Sequence, residues 1–229
     1  MRINKYLAHS GVSTRTEADE LIRRGLVTIN GKRAVLGDKI LQTDKVEVLG
    51  KNTTKHTYYA YNKAKGIVTT NPQNGERSIV EVGNFNKTIF PVGRLDKDSH
   101  GLIILTNDGR ITDRLLNPEN LHEKEYIVQV SKKFTPAFVR HMETGVLIGE
   151  YKTKPAKVKK LAENKFSIIL TEGKNRQIRR MTEKLGYSVT DLHRIRIQNI
   201  ELKDITPGSH REITGEEKEI FLKSLGLNS

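Results

Sequence analysis

The sequence predicts an α+β protein: a small N-terminal module of helices and short strands over residues 1–48, and a larger domain over 57–229 whose central sheet is mixed, mostly antiparallel and flanked by helices. Three observations carry this. Short runs alternate apolar and polar residues, as in Lys124-Glu-Tyr-Ile-Val-Gln-Val130, the period of a half-buried strand. Between such runs the spacing turns helical, as over Asn175 to Leu185, where Ile178, Met181 and Leu185 share one face. The chain has 229 residues, 35% of them hydrophobic, enough for a packed core in a small module and a medium-sized domain.

In the N-terminal module, Met1 to Ala8 places Ile3, Tyr6 and Leu7 on one helical face, and Gly11 ends that helix. Ser13-Thr-Arg-Thr16 offers capping hydroxyls, and Glu17 opens an acidic first turn. The second helix turns Ala18, Leu21 and Ile22 inward, shows Arg15, Arg23 and Arg24 outward, and stops at Gly25. Val27 to Ile29 is a strand, Asn30-Gly31 a tight hairpin turn, Lys32 to Val35 the return, and Asp44 to Val48 a further strand. Residues 49–56 are polar and basic and read as a linker.

The larger domain opens on a strand from Thr57 to Tyr61, followed by a second over Ile67 to Thr70 that turns at Asn71-Pro72. Lys87 to Val92 leads extended into Gly93, and Gly101 to Thr106 is strongly β. Arg110 to Leu116 fits a short helix halted by Asn117-Pro118. The strand Lys124 to Val130 follows, then a helix begun by Thr135-Pro136 and running through Met142. Ala156 to Leu161 and Lys165 to Leu170 pair as a hairpin. After the helix Asn175–Leu185 come strands through Leu192 and Arg196 to Leu202, and a last helix from Glu216 to Leu225.

Composition narrows the function classes. Lys and Arg number 40 against 27 Asp and Glu, a net charge of +13 spread along the chain. A basic folded protein points to nucleic acid or an anionic membrane, and no apolar run approaches the roughly 18 residues a membrane helix needs. No signal peptide is read at the N-terminus, so a cytoplasmic location is expected. There are no cysteines, which removes disulfides, thiolate zinc sites and thiol nucleophiles. The seven histidines do not pair at helical ligand spacing, so no metal is expected. Neither a GxxxxGK[ST] loop nor a GxGxxG fingerprint is present, so no nucleotide or dinucleotide cofactor is expected.

The densest chemical cluster is Val92-Gly-Arg-Leu-Asp-Lys-Asp-Ser-His-Gly-Leu-Ile-Ile-Leu-Thr106. Gly93 lets the backbone turn sharply ahead of Asp96, and Arg94 and Lys97 flank that carboxylate. Composition alone favours a surface loop of mixed charge. Tyr126 alone reads as a core tyrosine in a strand, and Asn175-Arg-Gln-Ile-Arg-Arg-Met181 as a basic helix face.

The order of these residues resembles known families. "RINKYLAHSGVSTRTEADELIRRGLVTINGK" resembles an S4 RNA-binding domain, in which Arg and Lys side chains grip structured RNA; here these are Lys5, Arg15, Arg23, Arg24 and Lys32. "GRLDKDSHGLIILTNDG" resembles the central motif of the pseudouridine synthases, in the branch holding RsuA, RluB, RluE and RluF. "HEKEYIVQV" and "TEGKNRQIRRMTEKLGY" follow in family order and, with "HRIRIQNIEL", look most like the RluF type. The resemblance implies that Asp96 is the catalytic residue and that Arg179 is its charge partner. It implies that Tyr126 packs on the target base, that Ile169 and Leu170 line the uracil pocket, and that Arg94 fills the space of the extruded base. Lys97, Arg176 and Arg180 join the expected RNA contacts. One departure is visible: the family's Lys-Pro-x-Gly reads Lys63-Ala-Lys-Gly66 here, which leaves the rigidity of that turn open.

The implied reaction breaks the N1–C1′ bond of uridine, rotates the base and forms a C5–C1′ bond. No atom leaves the RNA, so no cofactor or metal is called for. The implied substrate is 23S rRNA, with a tRNA anticodon as a second possibility, acted on by a monomer. Whether Asp96 attacks C1′ or takes a proton from C2′ stays open. The rivals are a non-catalytic RNA-binding or ribosome-assembly protein, for which the set Asp96, Tyr126 and Arg179 has no use, and a nuclease or methyltransferase, for which no carboxylate cluster or Gly-rich cofactor loop can be placed.

Overall fold

A computed structural model describes residues 1–10, 12–41, 43–49, 56–85 and 88–227. The chain divides into two compact units: Met1–Thr57 with Asp108–Asp113, and Tyr58–Asn107 with Arg114–Ser229. The helix stop expected at Gly11, the linker residues 50–55 and the start of the run at Lys87 lie outside the described residues.

The first unit contains helices α1 (Ile3–His9) and α2 (Arg15–Arg23) and strands β1 (Val27–Ile29), β2 (Lys32–Arg33) and β3 (Val46–Val48). Thr14 caps α2: its hydroxyl accepts from the Glu17 amide, and the Glu17 carboxylate accepts from the Thr14 amide. Asn30 and Gly31 both take positive φ, which joins β1 to β2 in the tight turn expected. The strands form an antiparallel sheet in the order β2-β1-β3. Ile3, Leu7, Ala18, Ile22, Val27, Ala34 and Ile40 form its core. The return strand is shorter than expected, ending at Arg33, because Val35 and Leu36 are exposed and give the pleat nothing to bury.

The second unit begins with β4 (Tyr58–Lys63), α3 (Ile79–Val82), β5 (Phe90–Val92), β6 (His100–Thr106) and α4 (Arg110–Leu116), the last shared between the units. It continues through β7 (Lys124–Val130), α5 (Pro136–Thr144), β8 (Leu147–Ile148), β9 (Tyr151–Lys152), β10 (Lys157–Ala162) and β11 (Lys165–Leu170). It closes with α6 (Gln177–Lys184), β12 (Val189–Ile197), β13 (Ile200–Glu201), β14 (His210–Glu212) and α7 (Gly215–Ser224). The large sheet runs β10-β11-β7-β12-β6-β4-β14, with β13 added to β12 and β5 to β6. Every pairing in it is antiparallel except β12 with β6. The α+β class and the mixed, mostly antiparallel sheet are therefore as the sequence predicted.

Two hydrophobic clusters among the described residues help build this unit. One sits where α5 and α6 meet the sheet, around Val128, Phe138, Met142, Phe166, Ile168, Ile178 and Met181. The other gathers Tyr61, Ile79, Ile89, Ile103 and Leu105. β6 is buried from Gly101 through Thr106, which explains its unbroken apolar sequence.

The strand expected over Ile67–Thr70 does not form. Val68 makes one isolated bridge to Ser78, and the buried Thr69 hydroxyl is engaged instead with the backbone of Leu95. The short helix α3, the β8–β9 hairpin and the edge strand β14 were not expected from the sequence; each is too short for periodicity to speak. Among the described residues, no helix is long and apolar enough to cross a membrane.

Candidate active site

The loop between β5 and β6 carries Arg94, Leu95 and Asp96, and three tethers fix it. Gly93 turns the chain at φ +81°, and a β-carbon there would stand 3.0 Å from the Leu116 side chain. The Thr69 hydroxyl accepts from the Leu95 amide at 3.0 Å and donates to the Leu95 carbonyl at 2.7 Å. The Lys63 ammonium, 0% exposed at the end of β4, donates to the carbonyls of Ser99 at 2.7 Å, Ala64 at 3.0 Å and Lys97 at 3.4 Å. The Gly66 amide adds a bond to the Lys97 carbonyl at 2.9 Å. With alanine at position 64, this turn is thus held by hydrogen bonds instead of a proline ring.

Asp96 leaves 31% of its side chain exposed. Arg176 stands nearest, Nη1 to Oδ2 at 3.6 Å, and Arg179 Nε lies 4.0 Å from the same oxygen. Arg179 is 14% exposed and is fixed by bonds from its Nη atoms to the Val189 carbonyl at 3.3 Å and the Ser99 hydroxyl at 3.3 Å. The expected partner Arg179 is therefore present, but Arg176, expected only as an RNA contact, is closer. Arg176 adopts a left-handed backbone conformation as the residue before α6, which swings its side chain toward the loop. Period-3.6 reasoning does not reach such a position.

A cavity of about 350 Å³ opens beside Asp96. Arg94, Tyr126, Leu170, Arg176, Lys124 and Arg194 are among its lining residues, and all of the lining belongs to the second unit. One expectation needs correction, and two of the expected RNA contacts stand away from the cavity. Ile169 does not line the cavity: alternation along β11 sends Leu170 to it and Ile169 to the opposite face. Lys97 does not face Asp96; it pairs with Glu76 at 2.8 Å on the surface. Arg180 also stands off the cavity, donating to the Ile148 carbonyl at 3.2 Å. In the first unit Lys5, Arg15, Arg23, Arg24 and Lys32 are all exposed. Sequence reasoning missed Lys124 and Arg194 on the cavity wall; the only available signal was a charged residue on the inward side of an alternating strand.

Burial holds the Lys124 ammonium down at about 8, with the nearby Arg194 adding to the effect. Burial likewise lowers Lys63 to about 8, against the opposing pull of Asp96 and Asp98. Both lysines are thus charged in the fold at neutral pH at a cost that disappears once they lose their protons. In the unfolded chain each keeps its proton to about pH 10.4. Between pH 8 and 10 the unfolded state binds more protons, so stability should rise with pH, by up to about 3 kcal/mol per lysine. Tyr61, raised by burial, works against this only above about pH 10. Denaturant unfolding across that window would measure the slope, and a falling or flat profile would contradict it.

Comparison with known proteins agrees with this arrangement. The family model described as RNA pseudouridylate synthase matches residues 57–184, and that of the S4 domain matches residues 1–46. The chain is 48% identical to the dual-specificity RNA pseudouridine synthase RluF of Salmonella typhi, over 94% of this chain and 76% of that protein. It is 35% identical to the ribosomal large subunit pseudouridine synthase B of Bacillus subtilis, over 94% and 93% of the two chains. A crystal structure of a pseudouridylate synthase superposes with a TM-score of 0.71 at 29% identity, covering 98% of this chain and 99% of that one.

Proposed function

Because this chain belongs to the RNA pseudouridylate synthase family, carries an S4 domain at its N-terminus and converts uridine to pseudouridine in RNA, we propose that Asp96 performs the chemistry on a uridine of 23S rRNA. The observation that carries this reading is the position of Asp96: held between Arg176 and Arg179 at a cavity walled by Tyr126 and Leu170.

The proposed steps are these. A stacked base is out of reach, so the uridine must swing out of its stem, at a cost of a few kcal/mol. Arg94, exposed at the cavity, then occupies the space it leaves. Tyr126 stacks on the everted ring, and Leu170 supplies an apolar wall. Arg176 and Arg179 orient Asp96 as the N1–C1′ bond breaks. Asp96 then either attacks C1′ or takes the C2′ proton. The uracil turns and C5 bonds to C1′. Nothing is gained or lost, so the protein needs no cofactor.

The similarity to a dual-specificity relative supports a second substrate, a tRNA anticodon uridine. The exposed Lys5, Arg15, Arg23, Arg24 and Lys32 of the S4 domain supply salt-sensitive phosphate contacts that place large RNA. The protein works as a monomer in the cytoplasm. Mapping pseudouridines in rRNA and tRNA from cells lacking the protein should reveal one missing 23S rRNA site and one missing anticodon site, both returning with a wild-type copy. An unchanged map would reject the substrate assignment.

A further inference from the structure

The cavity wall carries more positive charge than its surroundings balance. Lys124 is 8% exposed and Arg194 4% exposed. Neither forms an ion pair with a carboxylate among the described residues. The Lys124 ammonium reaches the His122 carbonyl at 3.4 Å. Arg194 donates Nε to the Leu102 carbonyl at 2.6 Å, while its Nη2 is buried without a hydrogen-bond partner among the described residues. Unpaired buried cations weaken a fold, so a cavity that keeps two of them is shaped for negative charge brought by its ligand.

Strand pairing sets their place. Lys124 and Tyr126 are two residues apart on β7 and share a face, and Arg194 is the register partner of Tyr126 on β12. The Arg194 guanidinium carbon lies 6.0 Å from the centre of the Tyr126 ring. All three line the same cavity as Asp96. A phosphate would be met by the exposed Arg94 and Arg176, whereas Lys124 and Arg194 are buried beside the apolar Leu170 and Ile197. That is the surrounding of a base, not of an RNA backbone.

We propose that Lys124 and Arg194 form an anion hole for the uracil ring, carrying the negative charge that gathers on its carbonyl oxygens while it is detached from the ribose. This rests on the reading of the cavity as the uridine site. When the N1–C1′ bond breaks, its electron pair stays with uracil and spreads over N1, O2 and O4. Asp96 supplies the balancing pair, to C1′ or to the C2′ proton. The uracil anion then returns its pair through C5 to C1′, displacing Asp96 from C1′ or, on the other route, with the proton going back from Asp96 to C2′. The C5 proton passes to N1, so Asp96 is regenerated and no other reactant is needed. Fixed cations beside the ring stabilise the detached anion more than the neutral bound base, the condition for raising kcat instead of affinity.

The test is single-turnover cleavage of the N1–C1′ bond by Lys124→Met and Lys124→Arg, on RNA carrying uridine or 5-fluorouridine at the target. Fluorine at C5 stabilises the same uracil anion and so substitutes in part for the missing cation. Lys124→Met should slow uridine about 100-fold with RNA affinity unchanged. It should lose much less on 5-fluorouridine, and Lys124→Arg should stay within about tenfold of wild type on uridine. The melting temperature of Lys124→Met should not fall, since an unpaired buried charge is removed. Equal loss on both RNAs would overturn the proposal. So would a loss confined to affinity with a shallower salt dependence, which would assign these cations to a phosphate. An unsubstituted protein inert on RNA would reject the underlying function, whereas an active one indifferent to Lys124→Met would overturn the anion hole alone.

Discussion

Replacing Asp96 by asparagine should abolish pseudouridine formation while leaving RNA affinity nearly intact. The amide has the size of the carboxylate but neither the charge to attack C1′ nor the basicity to take the C2′ proton. Loss of a group that forms or breaks a bond typically removes at least about 10⁴-fold in kcat. The tethers that shape the loop do not involve the Asp96 side chain: they run from Thr69 to the Leu95 backbone and from Lys63 to the carbonyls of Ala64, Lys97 and Ser99. The variant should therefore fold normally. Arg176 and Arg179 would lose their neighbouring anion and become freer to meet RNA phosphate, so binding should hold or tighten slightly. Turnover by the asparagine variant above a small fraction of wild type would remove Asp96 from the mechanism.

The second large effect is on the fold. Gly101 lies in β6 at φ +106°, where the parallel pairing sets it against Arg194 of β12. A β-carbon there would stand 2.2 Å from the Arg194 carbonyl oxygen and 2.6 Å from the His193 ring. Backbone cannot yield as a flexible side chain would, so Gly101→Ala must push β6 from β12 or twist the residue out of its conformation. We expect a loss of about 3 kcal/mol or more, and a melting temperature lower by roughly 10 °C. Because the shift falls on Arg194, activity should drop further than stability alone explains. A variant melting with wild type would mean that the two strands are not tightly apposed.

Much of this was legible in the sequence, for definite reasons. β7 alternates cleanly, α6 presents Ile178 and Met181 at helical spacing, and Thr14 with Glu17 spells out a helix start. Gly93 ahead of Asp96 marked the turn that holds the carboxylate. What was not legible depends on contacts between distant segments. Thr69 looks like a strand residue until the loop it serves lies beside it. Arg176 approaches Asp96 only because of one left-handed backbone angle. Ile169 and Leu170 look equivalent as an apolar pair, yet the pleat sends only Leu170 to the cavity. Lys124 and Arg194 stay inconspicuous until the register of β7 and β12 is known.

That every residue lining the cavity belongs to the second unit has an evolutionary consequence. The S4 domain and the residues that line the cavity are encoded in different stretches of the gene. Recombination upstream of Tyr58 could exchange one S4 domain for another and leave every residue that lines the chamber encoded as before.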